Sequence, residues 1–542
     1  MKEIRKGRVI LMTKTFNRRD FLKGGLVLGG AAEAAGLAGC APTTKGDKQQ
    51  AQLATTGAAG GIPENWDYEA DVIVVGCGAA GMAALNEARA QDLTVIGIEQ
   101  ANMIGGNAAI CGGEMCCVGT PLQKAQGIDD SPEKLYEDMC ALGADVNEEM
   151  MKLYSELTTE LYDWVTGFGV EVEEEVHGTN GHTTPRGHFV LPGPGEALGV
   201  MRDAAEAAGA EIHLQTALTS LIQDPATKRV IGVVAEDSHG DQLLYKANRG
   251  VIMASGGYAQ NNDLINEYVT GVGAENFKRQ GRDTDNGTGI IACMNIGVAS
   301  RHMSYCSFSC ILNADGDATT GSAMYHCGGI LVNQEGERFV DESNGYTNVW
   351  TSVVDQTDQI AYCIWDQAIA DANNGQGGEY YDHSKAEASG LLLKGDTIEE
   401  LAAAIGCPAE VLQATMDQYN GDVEATGVDS VFGRDNFVTG TGDLVPLNHA
   451  PYYAWKTCIA IGSSRGGLKK DISCQAVDMS GNIVPGLFLA GVISGTSEMG
   501  IVPGTRQSKS ASGTGFGGAL CFGRYCAQQI ASIMEPWDQA AA

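Results

Sequence analysis

The run Asp71-Val-Ile-Val-Val-Gly76-Cys-Gly78-Ala-Ala-Gly81-Met-Ala-Ala limits what this chain can fold into more than any other feature. Four β-branched residues in a row predict a buried strand, the glycines a tight turn, and the alanines the first turn of a helix. Glycines at this spacing let the backbone approach a pyrophosphate, and a helix N-terminus there offers unpaired N–H groups and a positive dipole. Glu99 closes the next apolar run, Leu93 to Ile98. It follows Gly81 at the distance where an acid accepts hydrogen bonds from ribose hydroxyls. Gly76, Gly78, Ala79, Ala80, Gly81, Glu99 and the adjacent Gln100 are therefore the expected grip on a dinucleotide.

This fingerprint alone does not choose between FAD and NAD; the rest of the chain does. Gly105-Gly106-Asn107-Ala108 follows the acid closely, with Gly112-Gly113 beyond it. Val251-Ile-Met-Ala254-Ser255-Gly256-Gly257 is a second apolar run ending in glycines, and Asn482 to Gly491-Val492 is a third. A nicotinamide-binding domain is usually contiguous. Pieces spread from residue 71 to about residue 525 point instead to one large FAD domain interrupted by an insertion, with FAD held non-covalently. Ala217, Asp285, Thr514, Gly515 and Phe516 complete the expected cofactor-facing set.

At 542 residues the chain exceeds the size at which one core stops growing, so two packed domains are expected. Its net charge is −33, and residues 1–39 are themselves basic, so the remainder is more acidic still. Such a surface repels phosphate backbones and excludes nucleic acid as a partner. Asn17-Arg18-Arg19-Asp20-Phe21-Leu22-Lys23 is a twin-arginine export pattern, and the apolar stretch after it is too short to be a membrane span. Leu37-Ala38-Gly39-Cys40 resembles a lipobox, which predicts acylation of Cys40 and attachment to the outer face of the cytoplasmic membrane through lipid alone. Residues 41–66 read as a flexible tether.

Sixteen cysteines show no disulfide framework, no Cys-x-x-Cys-His haem motif and no ferredoxin run. Cys111, Cys116, Cys117, Cys140, Cys306, Cys310 and Cys327 are candidate ligands of an iron–sulfur cluster such as [4Fe–4S]. The alternative is a set of reduced, buried structural cysteines.

These segments together resemble the FAD-dependent fumarate reductases, urocanate reductases and 3-ketosteroid dehydrogenases. Gly328-Gly-Ile-Leu-Val-Asn333-Gln-Glu-Gly-Glu-Arg338-Phe-Val-Asp-Glu342 is similar to that family's cap hairpin, Asp285-Asn-Gly287-Thr-Gly289 to its TGDG-like turn, and Thr514 to Gly523 to its closing flavin segment. The twin-arginine lipoprotein start and the cysteine richness most resemble those of bacterial cardiac glycoside reductases. The resemblance covers residues 68–530. It implies an α/β fold: a Rossmann-like, glutathione-reductase-type FAD domain (67–300 and 448–542) interrupted by an α+β capping domain (301–447). It also implies hydride transfer from reduced FAD to an activated C=C bond, with a membrane-associated multihaem cytochrome c as electron donor.

The chain departs from the family where charge is expected. Ala370 stands at the position of the proton-donating arginine, Ser463 at that of a histidine, and Gly345 where a partner of Glu342 is expected. A buried dicarboxylate lacking cationic partners is costly, so a neutral acceptor such as an unsaturated lactone or enone is expected. The candidate proton donors are Tyr305, Tyr325, His326, Tyr346, Arg465 and Arg506, with Glu342 behind them. Three other readings compete: a respiratory reductase of an unsaturated carboxylate, with Arg465 and Arg506 as clamps; a ketosteroid dehydrogenase; and a flavin electron-transfer lipoprotein without a substrate pocket.

Overall fold

Strand β1 (Tyr68–Val75) lies inside a sheet, between two parallel neighbours, and its side chains show why. Ile73 and Val75 bury in one apolar core, Val72 and Val74 in another on the opposite face. A strand covered on both faces has no solvent side, hence its unbroken β-branched run. The computed structural model describes residues 62–178, 181–269, 277–316, 324–344, 346–373, 382–437, 442–495, 500–501, 508–509 and 511–538. Arg18, Arg19, Cys40, the tether as far as residue 61, Gly345 and Arg506 lie outside them, as does the side chain of Tyr346.

β1 leads through the glycine turn into helix α1 (Ala79–Ala90), and β2 (Val95–Ile98) returns parallel to β1. Helix α2 (Glu148–Thr166) covers one face. β3 (Glu211–His213) extends the sheet beyond β2. The antiparallel strands β4 (Ala217–Gln223) and β5 (Val230–Glu236) lead into β6 (Gln242–Met253), which lies parallel to β1 on its other side.

A second sheet follows in the chain. It contains β7 (Cys306–Asn313), β8 (Ile330–Val332), β9 (Ile360–Asp366) and the long β10 (Tyr452–Ser464), which pairs antiparallel with both β7 and β9. The chain then rejoins the first sheet through β11 (Gln475–Val477) and β12 (Ile483–Leu489), giving the order β11-β12-β6-β1-β2-β3. Helix α3 (Thr514–Ile533) packs on α1, where a Cβ on Gly523 would lie 2.1 Å from the Ala80 carbonyl oxygen. Only glycine permits that approach. The whole is a mixed α/β fold, and among the described residues no helix is long and apolar enough to cross a membrane.

Candidate active site

Five parallel strands end at one edge of the first sheet, and backbone hydrogen bonds tie their ends together. Gly76 N–H donates to Ile98 (2.8 Å), Ala254 to Val75 (2.8 Å), Ala490 to Met253 (3.0 Å) and Glu99 to His213 (2.9 Å). Open α/β sheets bind ligands in the crevice beyond such carboxyl ends. Gly76, Glu99, Ala254 and Gly491, widely separated in sequence, therefore share this crevice. Gly76 takes φ +95° and would place a Cβ 2.6 Å from the Ala254 carbonyl oxygen, so no other residue fits this turn.

The residues present fit FAD. Gly78 caps α1 with no side chain on the free N–H groups, leaving them for an anion. A Cβ on Gly78 would meet only the Gly105 carbonyl oxygen, at 3.5 Å, and a Cβ on Gly106, Gly112 or Gly515 would meet nothing within 4 Å. Glu99 is buried, and its oxygens accept the N–H groups of Cys77 and Ala101, both at 2.9 Å. It thus braces the glycine turn as well as facing the ribose position. Gln100 is bound from both ends to the 284–286 turn, through the Thr284 carbonyl (2.8 Å) and the Asn286 amide (3.1 Å).

That turn carries Asp285. Its Oδ1 accepts the Gly257 N–H at 2.6 Å, while its buried Oδ2 and the buried Ser255 hydroxyl have no hydrogen-bond partner among the described residues. Polar atoms buried in this way call for a partner of some kind, and flavin and ribityl groups are rich in donors and acceptors. Burial pushes the Asp285 carboxyl up to about 6, against the opposing pull of the Gly257 and Ala259 N–H groups. Asn107 reaches the same turn, accepting the Arg282 N–H at 2.7 Å. Gly491 lies against Ala80, a Cβ there coming 3.1 Å from that of Ala80. Thr514, Gly515 and Phe516 open α3, Ala108 lies within the 3-10 segment Gly106–Ile110, and Gly113 follows that segment. Ala217 begins β4, one residue past Thr216, whose N–H donates to Glu99 (2.8 Å).

Ser464 was not singled out by its sequence. It ends β10 fully buried, its hydroxyl accepts the Tyr258 N–H at 3.3 Å, and it sits 2.0 Å from where a Cβ on Gly257 would project. Its place at the end of a long strand before a glycine pair was the available signal.

The catalytic candidates divide into two groups. Glu342 is wholly buried in an ion network: Arg338 contacts it at 2.7 Å, Arg434 at 3.2 Å, and the Leu331 N–H donates to it at 2.9 Å. Arg338 also holds Asp429 at 2.8 Å, and Arg434 donates to the carbonyls of Gly329 and Tyr325, both at 2.9 Å. The cationic partner expected at position 345 is thus supplied by Arg338, one turn back, and by Arg434, far along the chain. Tyr325 and His326 pack edge to face beside this network, ring centroids 4.6 Å apart. Burial, aided by the Arg434 charge, pushes the His326 imidazole down to about 3.

Arg465 belongs to the second group. Its N–H donates to the Tyr305 carbonyl at 2.9 Å, and its side chain reaches Ser307 at 3.4 Å. With Arg301, His302, Lys469 and Lys470 it lines a cleft of about 270 Å³ that Ser494 and Gly495 complete. Those two residues follow Gly491-Val492, so the cleft adjoins the cofactor segment. Ser463 faces Ser307 across the β7–β10 ladder, and Ala370 is fully buried in the short helix Gln367–Ala372.

The seven candidate iron–sulfur cysteines do not come together. Cys116, Cys117 and Cys140 belong to the core around α1 and α3, while Cys306, Cys310 and Cys327 belong to the core of the second sheet; Cys111 is exposed. Two packed cores separate the sets, and among the described residues no group of His, Cys, Asp or Glu is placed to hold a metal ion.

The profile of a family described as FAD binding domain matches residues 71–506. The chain is 28% identical to a probable fumarate reductase of Shewanella frigidimarina over 78% of this chain and 70% of that one. It is 25% identical to a digoxin reductase of Eggerthella lenta over 96% of this chain and 98% of that one. The crystal structure of a 3-ketosteroid-Δ4-(5α)-dehydrogenase from Rhodococcus jostii, bound to 4-androstene-3,17-dione, superposes with a TM-score of 0.67 at 27% identity. That likeness covers 86% of this chain and 98% of the dehydrogenase.

Proposed function

The chain belongs to the FAD binding domain family and is an FAD-dependent oxidoreductase acting on CH–CH bonds; from that premise we propose that it reduces an activated C=C bond of a neutral small molecule, an unsaturated lactone or enone. Bound FAD supplies the hydride. The chain supplies the rest: the N-terminus of α1 and Glu99 hold the ADP half, and the Asp285–Gly257–Ser464 cluster orders the backbone at the flavin end. The second sheet and its helices act as a cap over a Rossmann-like FAD domain and keep water from the reacting carbons. Arg465, at the wall of the cleft, donates to the acceptor's carbonyl oxygen, where charge builds as hydride arrives.

The observation carrying this reading is the neutrality of two positions. Ala370 is packed in a core and Ser463 lies opposite a serine, so neither presents a cation to a carboxylate. A charge-assisted hydrogen bond contributes about 1.5–3 kcal/mol, so two missing ones weaken dicarboxylate binding by roughly a hundredfold or more. The test is anaerobic reoxidation of the dithionite-reduced holoenzyme by a panel of acceptors at equal concentration. Unsaturated lactones and enones are expected to outpace fumarate and urocanate by about a hundredfold, and the reverse order would reject the reading. The cleft around Arg465 favours a second reading, a reductase of unsaturated carboxylates, which that reverse order would establish.

The twin-arginine pattern and Cys40 support export and lipid anchoring at the outer face of the cytoplasmic membrane; the likeness to a cytochrome-type fumarate reductase of Shewanella frigidimarina supports a multihaem cytochrome c as electron donor.

A further inference from the structure

Cys474 closes the turn that joins β10 to β11, and its backbone is unusual. At φ +62° it lies in the left-handed region that non-glycine residues rarely occupy. It is fully buried, and its thiol is in hydrogen-bonding contact with that of Cys526, which is also fully buried, on α3. Backbone contacts hold the two residues in register. The Leu489 N–H donates to the Cys474 carbonyl at 2.9 Å, and the Cys526 thiol lies 3.6 Å from the Leu489 carbonyl oxygen.

A third group completes the cluster. The Lys470 ammonium is buried beside the Cys474 thiol and rests 3.8 Å from the ring centroid of Phe522, one turn before Cys526 on α3. A cation beside a thiol favours the thiolate. Contact with Cys526 and the Lys470 charge lower the Cys474 thiol against the opposing effect of its burial. A thiol in contact with a second thiol and beside a cation is placed as a reactive cysteine with its resolving partner. Lys470 also lines the cation-rich cleft.

We propose that Cys474 and Cys526 form a redox-active pair, a modification site at which a small peroxide closes a disulfide between the β10–β11 turn and helix α3. The Cys474 thiolate attacks one peroxide oxygen and breaks the O–O bond. The departing oxygen leaves as hydroxide, which takes up a proton to become water, and Cys474 is left as sulfenic acid. The Cys526 sulfur then attacks the sulfenic sulfur. The hydroxyl leaves with the Cys526 proton as a second water, and the S–S bond forms. Two thiols lose two electrons and two protons, and one hydrogen peroxide becomes two waters. Lys470 is a positioning residue that holds Cys474 ready for attack.

The test uses the oxidised holoenzyme, prepared anaerobically and treated with equimolar hydrogen peroxide before alkylation and peptide mapping. A peptide pair linking Cys474 to Cys526, lighter by two hydrogens, is expected ahead of modification at the other buried cysteines. Lys470→Gln should slow its formation about tenfold at unchanged flavin content, because less thiolate is present, and Lys470→Arg should restore it. Cys526→Ser should leave Cys474 as a dimedone-reactive sulfenic acid. Exposed Cys111 serves as an internal control. Oxidation of Cys111 without the cross-link, or a cross-link whose rate ignores Lys470→Gln, would overturn the proposal. The wild-type map and the lysine variants decide the matter even if the serine variant fails to fold.

Discussion

Replacing Gly78 with valine separates cofactor binding from folding. Gly78 sits at φ −77°, ψ −164°, an extended conformation that valine adopts readily. An added Cβ would meet only the Gly105 carbonyl oxygen at 3.5 Å, ordinary contact, so the fold should survive. The valine methyls would nevertheless project where the pyrophosphate must approach the uncapped N-terminus of α1. Displacing the phosphates from two N–H groups forfeits two charge-assisted hydrogen bonds, about 3–6 kcal/mol, or roughly a hundredfold to ten-thousandfold in affinity. The assay is titration of the apoprotein with FAD by fluorescence quenching, together with flavin absorbance per polypeptide in the purified variant. Gly81→Ala is the contrasting control: its Cβ would fall 1.9 Å from the Gly76 carbonyl oxygen, so the turn must move and the apoprotein itself should melt lower. Full flavin occupancy in Gly78→Val, at unchanged affinity, would refute the placement of the pyrophosphate at this helix.

Arg434→Met should destabilise the protein by about 3–5 kcal/mol in urea unfolding, since it leaves Glu342 with one cation and strands the carbonyls of Gly329 and Tyr325; a loss below 1 kcal/mol would contradict the buried network. Asp285, raised from 3.8 to about 6 by burial, contributes stability that is present below pH 4 and lost as pH rises through 6; Asp285→Asn should flatten that fall in the apoprotein's urea midpoint between pH 4 and 6.5. His326, held neutral down to about pH 3, should not titrate in the working range, so His326→Asn is expected to leave the shape of the pH–rate profile between pH 5 and 8 unchanged. Lysine at both Arg18 and Arg19 should retain the protein in the cytoplasm, and Cys40→Ala should abolish lipid labelling; cell fractionation and palmitate incorporation read the two effects.

What could be read in the sequence was local. The strand, glycine turn, helix and acid between Tyr68 and Glu99 lie within 32 residues, and each obeys a short-range rule of periodicity or backbone sterics. The ion network around Glu342 was legible only in part. Arg338 is four residues away and was in view, but Arg434 is 92 residues distant, and nothing in its surroundings marks it as a partner. The cysteines failed as a cluster for a related reason. Their spacing says nothing about which face of a sheet each side chain takes, and the two faces here feed separate cores. Cys474 and Cys526, left out of the iron–sulfur set, are instead brought together by the fit of a turn against a C-terminal helix.

The same distinction bears on the acceptor. Near the second sheet the chain is not short of arginines, but most have other work. Arg338 and Arg434 neutralise Glu342 and Asp429 in a buried cluster, and withdrawing either to clamp a substrate would expose an uncompensated carboxylate. Arg301 contacts Asp145 at 3.1 Å, and the same aspartate holds His302 at 2.5 Å. Arg465 lies in the wall of the cleft, its guanidinium 3.4 Å from the Ser307 hydroxyl. On the proposed reading its guanidinium polarises a single acceptor carbonyl, and Lys469 and Lys470 are further cations of the same cleft. Arg465→Met should consequently depress turnover of every acceptor the enzyme accepts, lactone and monocarboxylate alike, without lowering flavin content. Turnover unchanged in that variant would mean that the acceptor's oxygen is held elsewhere.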